Sequence, residues 1–430
     1  MPSTSSSGMK ATNKIIVLGG GVVGVTTAYF LAREGYDVEL IEQNDATGFG
    51  TSRANGGLVS VGCSQPWNSP SVPFTVLKSW GRVDSPFLFR MSAFPGVIPW
   101  GLKYLLQCRA DSYARSSTAS VQILSDSLAR LRGLVEETQL QYDKLQNGVL
   151  KFFGSLAELE REAALTRQLS HLGLEFKSMS VDEIIALEPL LEAQRSQIAG
   201  GLYFVTDESG DAHKFTHELA RKTEDLGVKF HYSTKIEKIV ENRGRISHLR
   251  TSRGDMSADL FVLALGPAAA NLARPLGVKL PVYPVKGYSV TIETHGNVPL
   301  PKTPFLDWSR KMGITAFGTR IRAGGTAEFA GYNTEPRRER WEVLHRNMLE
   351  LFPSLADAPE ADIMPWAGLR PVTPDGMSIL GKSPVENLML NVGHGPQGWG
   401  LSCGCAAFLT DLIAGRETAV SAAPFAYSRF

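Results

Sequence analysis

Cysteine is scarce: the 430 residues hold four, Cys63, Cys108, Cys403 and Cys405. That is too few and too scattered for a disulfide framework. Cys403-Gly404-Cys405 also lacks the spacing of a zinc site, which wants two Cys-x-x-Cys pairs or nearby histidines. Buried, reduced thiols and no metal are expected. A surplus of one charge sign is missing too, with 44 Lys+Arg against 43 Asp+Glu and a net charge of +1. That balance argues against a nucleic-acid binder and against an acidic disordered chain. No uninterrupted apolar run of about 20 residues occurs, so nothing reads as a bilayer span. Residues 1–13 are rich in Ser and Thr with no apolar stretch, which reads as a flexible tail rather than a signal peptide.

Glycine is plentiful, at 42 residues. With no collagen period, this implies many tight turns and places where backbone approaches a ligand. Lys14-Ile-Ile-Val-Leu18 reads as a strand buried on both faces. Gly19-Gly-Gly-Val-Val-Gly24 follows, then a helical pattern to Gly35, then a strand from Asp37 to Ile41 ending in Glu42. This is a βαβ unit. Helices are expected over 112–137, 155–173, 182–187, 214–226, 337–351 and 401–414. Strands are expected over 148–153, 200–205, 228–232, 235–240, 246–251, 259–265, 288–293, 313–316, 320–324 and 388–392. Return to a βαβ-like order late in the chain suggests two interleaved domains.

In Gly19-x-Gly21-x-x-Gly24, Gly19 permits the tight turn, Gly21 lets backbone approach a pyrophosphate, and Gly24 lets helix and strand pack closely. The helix N-terminus offers unpaired N–H groups to the phosphates. Glu42 would accept from ribose hydroxyls and repel a 2′-phosphate. Thr51-Ser-Arg-Ala-Asn-Gly-Gly57 is a polar loop able to run beneath a pyrophosphate and flavin. Gly393-His-Gly-Pro-Gln-Gly-Trp-Gly400 precedes a helix whose N-terminus could face the N1/C2=O edge of a flavin, with His394 beside it or in a backbone-bonded turn. The stretch 87–106 is apolar and aromatic but broken by Arg90, Pro95, Pro99 and Lys103. It reads first as a buried cap over a pocket and second as a membrane-surface contact, for which Trp100, Lys103 and Tyr104 are suited.

These segments, together with Pro281-Val-Tyr-Pro-Val-Lys-Gly-Tyr-Ser289, Arg320-Ile-Arg-Ala-Gly-Gly325 and Gly368-Leu-Arg-Pro-Val-Thr-Pro-Asp-Gly376, make the chain resemble the bacterial FAD-dependent D-amino acid dehydrogenases, within the D-amino acid oxidase and glycine oxidase superfamily. The resemblance implies an α/β fold: a Rossmann-like FAD-binding domain from residues 14–88, 198–275 and 373–430, interleaved with an α+β substrate domain from 89–197 and 276–372 with a mixed antiparallel sheet. It implies non-covalent FAD, with further contacts at Val22, Val23, Gln43, Ser52, Asn55, Gly56, Ile236, Gly266, Gly395, Gly398 and Trp399.

It also implies a substrate carboxylate on Arg370, the arginine of the Gly-Leu-Arg-Pro motif, where a planar guanidinium can make a bidentate pair. The alternative for Arg370 is an ion pair with Asp375 or Glu328. Two features depart from glycine oxidases: Met312 stands where they carry a second carboxylate donor, a tyrosine, and Pro396 replaces a further arginine. Tyr288 and Tyr332 are therefore candidates for the second donor, with core packing the first reading of each, and Arg322 and Tyr288 are the positions to take the carboxylate if Arg370 is structural.

The resulting expectation is oxidative deamination of a D-amino acid to a 2-oxo acid and ammonia. A hydride leaves the α-carbon for flavin N5, and electrons pass to a quinone or another acceptor in place of oxygen. The setting expected is cytoplasmic, at the inner face of a membrane. Rival readings are an O₂-using oxidase of a secondary amine such as sarcosine or hydroxyproline, a NAD-dependent dehydrogenase, and a non-catalytic FAD-binding subunit.

Overall fold

The computed structural model describes residues 14–78, 85, 87–296 and 298–430. The tail expected over 1–13 lies outside them.

Two large sheets organise the chain. The first has six strands, in the order Ile379–Lys382, Leu388–Val392, Leu260–Leu263, Lys14–Leu18, Asp37–Ile41 and Lys229–His231. All pair in parallel except Ile379–Lys382, an antiparallel edge. Ile15 to Leu18 are wholly buried, as a strand covered on both faces requires. The helix Val22–Arg33 runs back along this sheet and packs against the C-terminal helix Gly398–Ile413. That helix also meets the long helix Ala110–Thr138, where a Cβ on Gly404 would sit 2.7 Å from Ser127 Cβ. Only glycine fits this approach, and the Ser127 hydroxyl fills it by accepting from the Gly404 N–H at 2.9 Å.

The second sheet places Ile363–Val372 at one edge, followed by Tyr283–Glu293, Arg320–Phe329, Met312–Phe317, Phe305–Asp307, Val149–Phe153, Gly200–Phe204 and Lys177–Met179. Phe87–Phe89 adds in parallel to Arg320–Phe329. Most pairs are antiparallel, with Phe305–Asp307 parallel to Val149–Phe153. The chain alternates between the sheets, so the fold is mixed α/β with an interleaved path.

Helices and strands expected from periodicity form within a few residues of their expected ends, except that Tyr283–Glu293 begins five residues before 288 and Arg320–Phe329 ends five residues after 324. The largest omission is Ile363–Val372. Pro365 and Pro371 make it read as a non-strand, yet it lies at the sheet edge, where missing N–H donors are tolerated. The second omission is the helix Phe94–Gln107, which carries Pro99 in its interior. It buries Val97 and Trp100. Trp100 donates its indole N–H to Val372 O at 3.0 Å, and the Tyr104 hydroxyl donates to Trp67 O at 2.6 Å. Both aromatics, expected to suit a membrane interface, therefore turn into the protein. The exposed apolar face is Ile98 (53%), Leu102 (61%), Leu105 (53%) and Leu106 (70%).

Candidate active site

A cavity of about 2070 Å³ is lined from both sheets. Single small-ligand pockets run to about 300–1,000 Å³, so this one has room for a dinucleotide and a second ligand.

One end is built by the glycine fingerprint. Gly19 holds φ +110°, and a Cβ there would lie 2.8 Å from Ala264 O. A Cβ on Gly24 would lie 1.9 Å from Gly19 O, so Gly24 serves helix–strand packing and does not border the cavity. Gly21 borders it, and the nearest atom to a Cβ there is Ser52 Oγ at 3.7 Å. Ser52 Oγ accepts from the Val22 N–H at 3.1 Å. Gly21 has no side chain to cap the helix and no acid sits in its first turn, so with the Val22 N–H taken by Ser52 the next donor on the cavity wall, the Val23 N–H, is left for an anion. The Glu42 carboxylate is fixed by the Gly20 N–H (2.7 Å), the Asn44 N–H (2.9 Å) and Asn44 Nδ2 (2.6 Å). A carboxylate offers about four lone-pair sites, so it retains capacity for a ribose hydroxyl. Val22, Val23, Gln43, Ile236 and Gly266 also border the cavity.

The 51–57 loop is clipped to the second sheet by four side chains. Ser289 Oγ donates to Ala54 O (3.0 Å), Arg322 Nη1 to Asn55 O (2.8 Å), Thr315 Oγ1 to Gly56 O (2.8 Å), and Thr51 Oγ1 to Leu369 O (2.8 Å). Thr51, Ser52, Asn55 and Gly56 border the cavity. Gly57 does not: it holds φ +83°, and a Cβ there would strike the Phe317 ring at 2.4 Å. Arg322, a candidate for the substrate carboxylate, is also absent from the wall. Its guanidinium is spent on Asn55 O and, at 2.8 Å, on Thr291 Oγ1, so it is part of the scaffold.

The C-terminal loop contributes His394, Gly395, Gly398 and Trp399 to the wall, whereas Gly393 packs at φ +79° against Thr373. Trp399's ring lies against Phe215 and Tyr142 in the core. His394 Nε2 lies 2.9 Å from Asn391 Oδ1, and Asn391 Nδ2 donates to Thr27 Oγ1 at 2.9 Å. An amide oxygen can only accept, so Nε2 carries the proton. Burial pushes the His394 pKa down to about 4, leaving a neutral ring with Nδ1 as an acceptor.

At the other end stands Arg370, on the edge strand Ile363–Val372. Nη1 donates to Thr326 O at 2.7 Å and Nη2 to Gly325 O at 3.3 Å, and the Trp67 ring centroid lies 5.6 Å from Cζ. Among the described residues no carboxylate pairs with it. The two alternatives are engaged elsewhere: Asp375 binds Arg429 at 2.7 Å, and Glu328 binds Arg90 at 2.6 Å and the Tyr288 hydroxyl at 2.5 Å. Desolvation alone lowers the Arg370 pKa to about 10. A cation drawn half out of water with no counter-charge is costly, and here it faces the cavity. The backbone is shaped around it. A Cβ on Gly287 would sit 2.3 Å from Arg370 Cζ and both terminal nitrogens. Thr326, a β-branched residue, is held at φ +58°, a strained conformation that presents its carbonyl to Nη1.

Tyr288 does not join Arg370. Strand neighbours alternate faces, so Tyr288 opposes Gly287, against which the guanidinium lies. Tyr288 borders the cavity, but its hydroxyl is bound to Glu328 and it belongs to the same core cluster as Leu344 and Met348. Burial, followed by Glu328, raises its pKa. Met312 is fully buried and off the wall. Tyr332 is on the wall, donating its hydroxyl to Pro267 O at 3.2 Å. Sequence reasoning missed Gly287 and the Gly325 and Thr326 carbonyls, because their roles exist only once three strands are in register.

The profile of the family described as "FAD dependent oxidoreductase" matches residues 14–412. The chain is 40% identical over 417 residues to a D-amino acid dehydrogenase of Granulibacter bethesdensis, covering 97% of this chain and 99% of that protein. It is 40% identical over 418 residues to a D-amino acid dehydrogenase of Paramagnetospirillum magneticum, covering 97% and 99%. Among solved structures it is similar to glycine oxidase from Geobacillus kaustophilus, with a TM-score of 0.74, 24% identity and coverage of 97% and 100%. It is also similar to L-proline dehydrogenase from P. horikoshii, with a TM-score of 0.77, 18% identity and coverage of 98% and 98%.

Proposed function

The chain belongs to the family of FAD-dependent oxidoreductases, and on that premise we propose that it is a D-amino acid dehydrogenase. The observation that carries this reading is Arg370: a half-buried, cavity-facing guanidinium with no carboxylate partner among the described residues. An α-carboxylate supplies the missing charge in bidentate geometry. The two relatives named above supply the substrate class.

FAD, when bound, supplies the two-electron acceptor for the hydride from the substrate's α-carbon. The helix N-terminus at Gly21 to Val23 would take its pyrophosphate, Glu42 its ribose, and the 51–56 and 394–399 loops its ring system. Arg370 fixes the carboxylate, so the α-carbon is presented in one orientation, and positioning provides much of the rate. Neutral His394 offers Nδ1 as an acceptor and adds no charge. After oxidation, water adds to the imino acid and ammonia leaves, giving the 2-oxo acid.

Non-covalent FAD agrees with the cysteines. Cys63 borders the cavity, and burial pushes its thiol pKa up to about 11, so it is a poor nucleophile.

With Gly200–Phe204 and Phe87–Phe89 crossing over to the second sheet, division into an FAD-binding domain (14–88, 198–275, 373–430) and a substrate domain (89–197, 276–372) is part of the proposal. So are a quinone acceptor and a membrane-surface contact on the cytoplasmic side. The support for both is the Phe94–Gln107 helix, whose exposed leucines and Ile98 line one face while Trp100 reaches the strand that carries Arg370. No described helix is long and apolar enough to cross a membrane.

The test is a panel of D-, L- and N-substituted amino acids, with O₂ or a quinone analogue as acceptor and the keto product identified. D-Amino acids with the quinone analogue should turn over fastest. Preference for N-methylated substrates with stoichiometric peroxide would move the assignment to the oxidase alternative.

A further inference from the structure

Beyond Arg370 the cavity wall carries a second cation that the proposed chemistry does not use. Lys311 borders the cavity, and its Nζ lies 3.2 Å from the Trp308 ring centroid. Among the described residues it has no hydrogen bond or ion pair. Lys151 Nζ lies 3.9 Å from the same centroid, but it is salt-bridged to Glu162.

The surrounding charges balance without Lys311. Lys151 cancels Glu162. Asp307 is held by Arg310 at 2.7 Å. Glu158 and Arg161, one helical turn apart, both border the cavity and offset each other. Lys311 remains without an ion pair among the described residues, with Glu158, Glu162 and Asp307 acting on it only from a distance. Desolvation, then Lys151, lowers its pKa to about 8, against weaker opposing effects of Glu158, Glu162 and Asp307.

The position of Lys311 is fixed by the backbone. It holds φ +51°, uncommon for a side chain of this kind, at the end of the turn that carries Trp308. Its carbonyl sits 2.8 Å from where a Gly325 Cβ would be. Gly325 O is also the acceptor of Arg370 Nη2. The Lys311 backbone and the Arg370 guanidinium thus both approach one glycine on the cavity wall.

We infer that Lys311 is a specificity-determining anchor for a carboxylate on the substrate side chain, so that the site favours dicarboxylic D-amino acids. Arg370 takes the α-carboxylate and Lys311 the distal one, with Trp308 shielding the ammonium from water. A cation over an indole face in a partly dry site gains more from a full counter-charge than from a neutral acceptor. The inference rests on the D-amino acid reading above.

The experiment compares wild type, Lys311→Met and Lys311→Arg on D-glutamate and D-aspartate, their amides D-glutamine and D-asparagine, and D-alanine. Wild type should favour each acid over its amide. In Lys311→Met the acid-to-amide ratio of kcat/KM should fall at least ten-fold, and Lys311→Arg should recover part of it. Binding of glutarate and succinate, read by perturbation of the flavin spectrum, should weaken at least ten-fold in Lys311→Met without any turnover. Should Lys311→Met misfold, Lys311→Gln gives the same comparison. An unchanged ratio together with unchanged dicarboxylate binding overturns the inference. Wild type that oxidises D-alanine and D-glutamine but binds no dicarboxylate overturns it too. If no D-amino acid is oxidised while glutarate binding still depends on Lys311, the anchor stands and the D-amino acid reading fails.

Discussion

Replacing Gly287 by alanine adds one methyl group against the Arg370 guanidinium. The new Cβ would sit 2.3 Å from Cζ, Nη1 and Nη2, while ordinary contact begins at 3.4 Å. Gly287 is paired to Gly368 on one side, and on the other its neighbours Lys286 and Tyr288 are paired to Glu328 and Gly325 across a register shift, so the guanidinium is the group that must give way. The required shift is about 1 Å, and a misplacement of that size can lower a positioned reaction about 100-fold. It would also pull Nη1 and Nη2 from the Thr326 and Gly325 carbonyls. Gly287→Ala should therefore fold and take up FAD normally, because it touches none of the pyrophosphate contacts. Its anaerobic rate of flavin reduction per KM should drop roughly 100-fold with a D-amino acid, and much less with the corresponding amide, which has no carboxylate for Arg370. The assay is stopped-flow flavin reduction, with occupancy taken from the visible spectrum. Unchanged kinetics would refute the geometry, and an equal loss with acid and amide would refute the carboxylate assignment.

Gly21→Val should yield largely apoprotein, since the only room for its side chain is the phosphate space; occupancy equal to wild type would misplace the phosphate site. Arg322→Met should weaken FAD retention and lower Tm rather than raise KM, because it removes a charged donor from buried acceptors, worth about 1.5–3 kcal/mol; thermal denaturation with flavin fluorescence reads both. His394 gives a pH dependence. Its pKa is lowered to about 4 from the ordinary 6.5, so the unfolded chain binds a proton that the folded one refuses. Stability present above pH 6.5 is lost as pH falls toward 4. His394→Gln should flatten that part of the pH–Tm curve, and an unchanged slope would show that the ring is not held neutral.

Much of the dinucleotide end was legible because its signals are local. A strand, three glycines, a helix and an acid follow one another within 29 residues from Lys14 to Glu42, and each has a conformational reason to be where it is. The substrate end was less legible. The strand bearing Arg370 was hidden by Pro365 and Pro371, whose tolerance depends on an edge position that no local pattern reveals. The Tyr283–Glu293 strand begins five residues before the expected Tyr288 start. Face parity along it sends Tyr288 to Glu328 and leaves Gly287 under Arg370. Arg322 looked like a ligand because arginines near a glycine-rich loop often are, yet its partner is the loop's own backbone. Lys311 gave no signal at all, since Lys151 and Glu162 come from well over a hundred residues away. Trp100 and Tyr104 lie in a stretch read first as a buried cap and second as interfacial, and both bond inward, to Val372 and Trp67.

The central claim is that Arg370 holds the α-carboxylate of a D-amino acid so that its α-hydrogen can leave for the flavin. The direct measurement is anaerobic flavin reduction of wild type and Arg370→Met by D-alanine, L-alanine and D-alaninamide. The account predicts rapid, complete bleaching of wild type by D-alanine and none by L-alanine. In Arg370→Met, binding of D-alanine should weaken by roughly 2–5 kcal/mol with FAD retained, while D-alaninamide is little affected. Bleaching by L-alanine as fast as by D-alanine, or an Arg370→Met protein that reduces as readily as wild type, would contradict it.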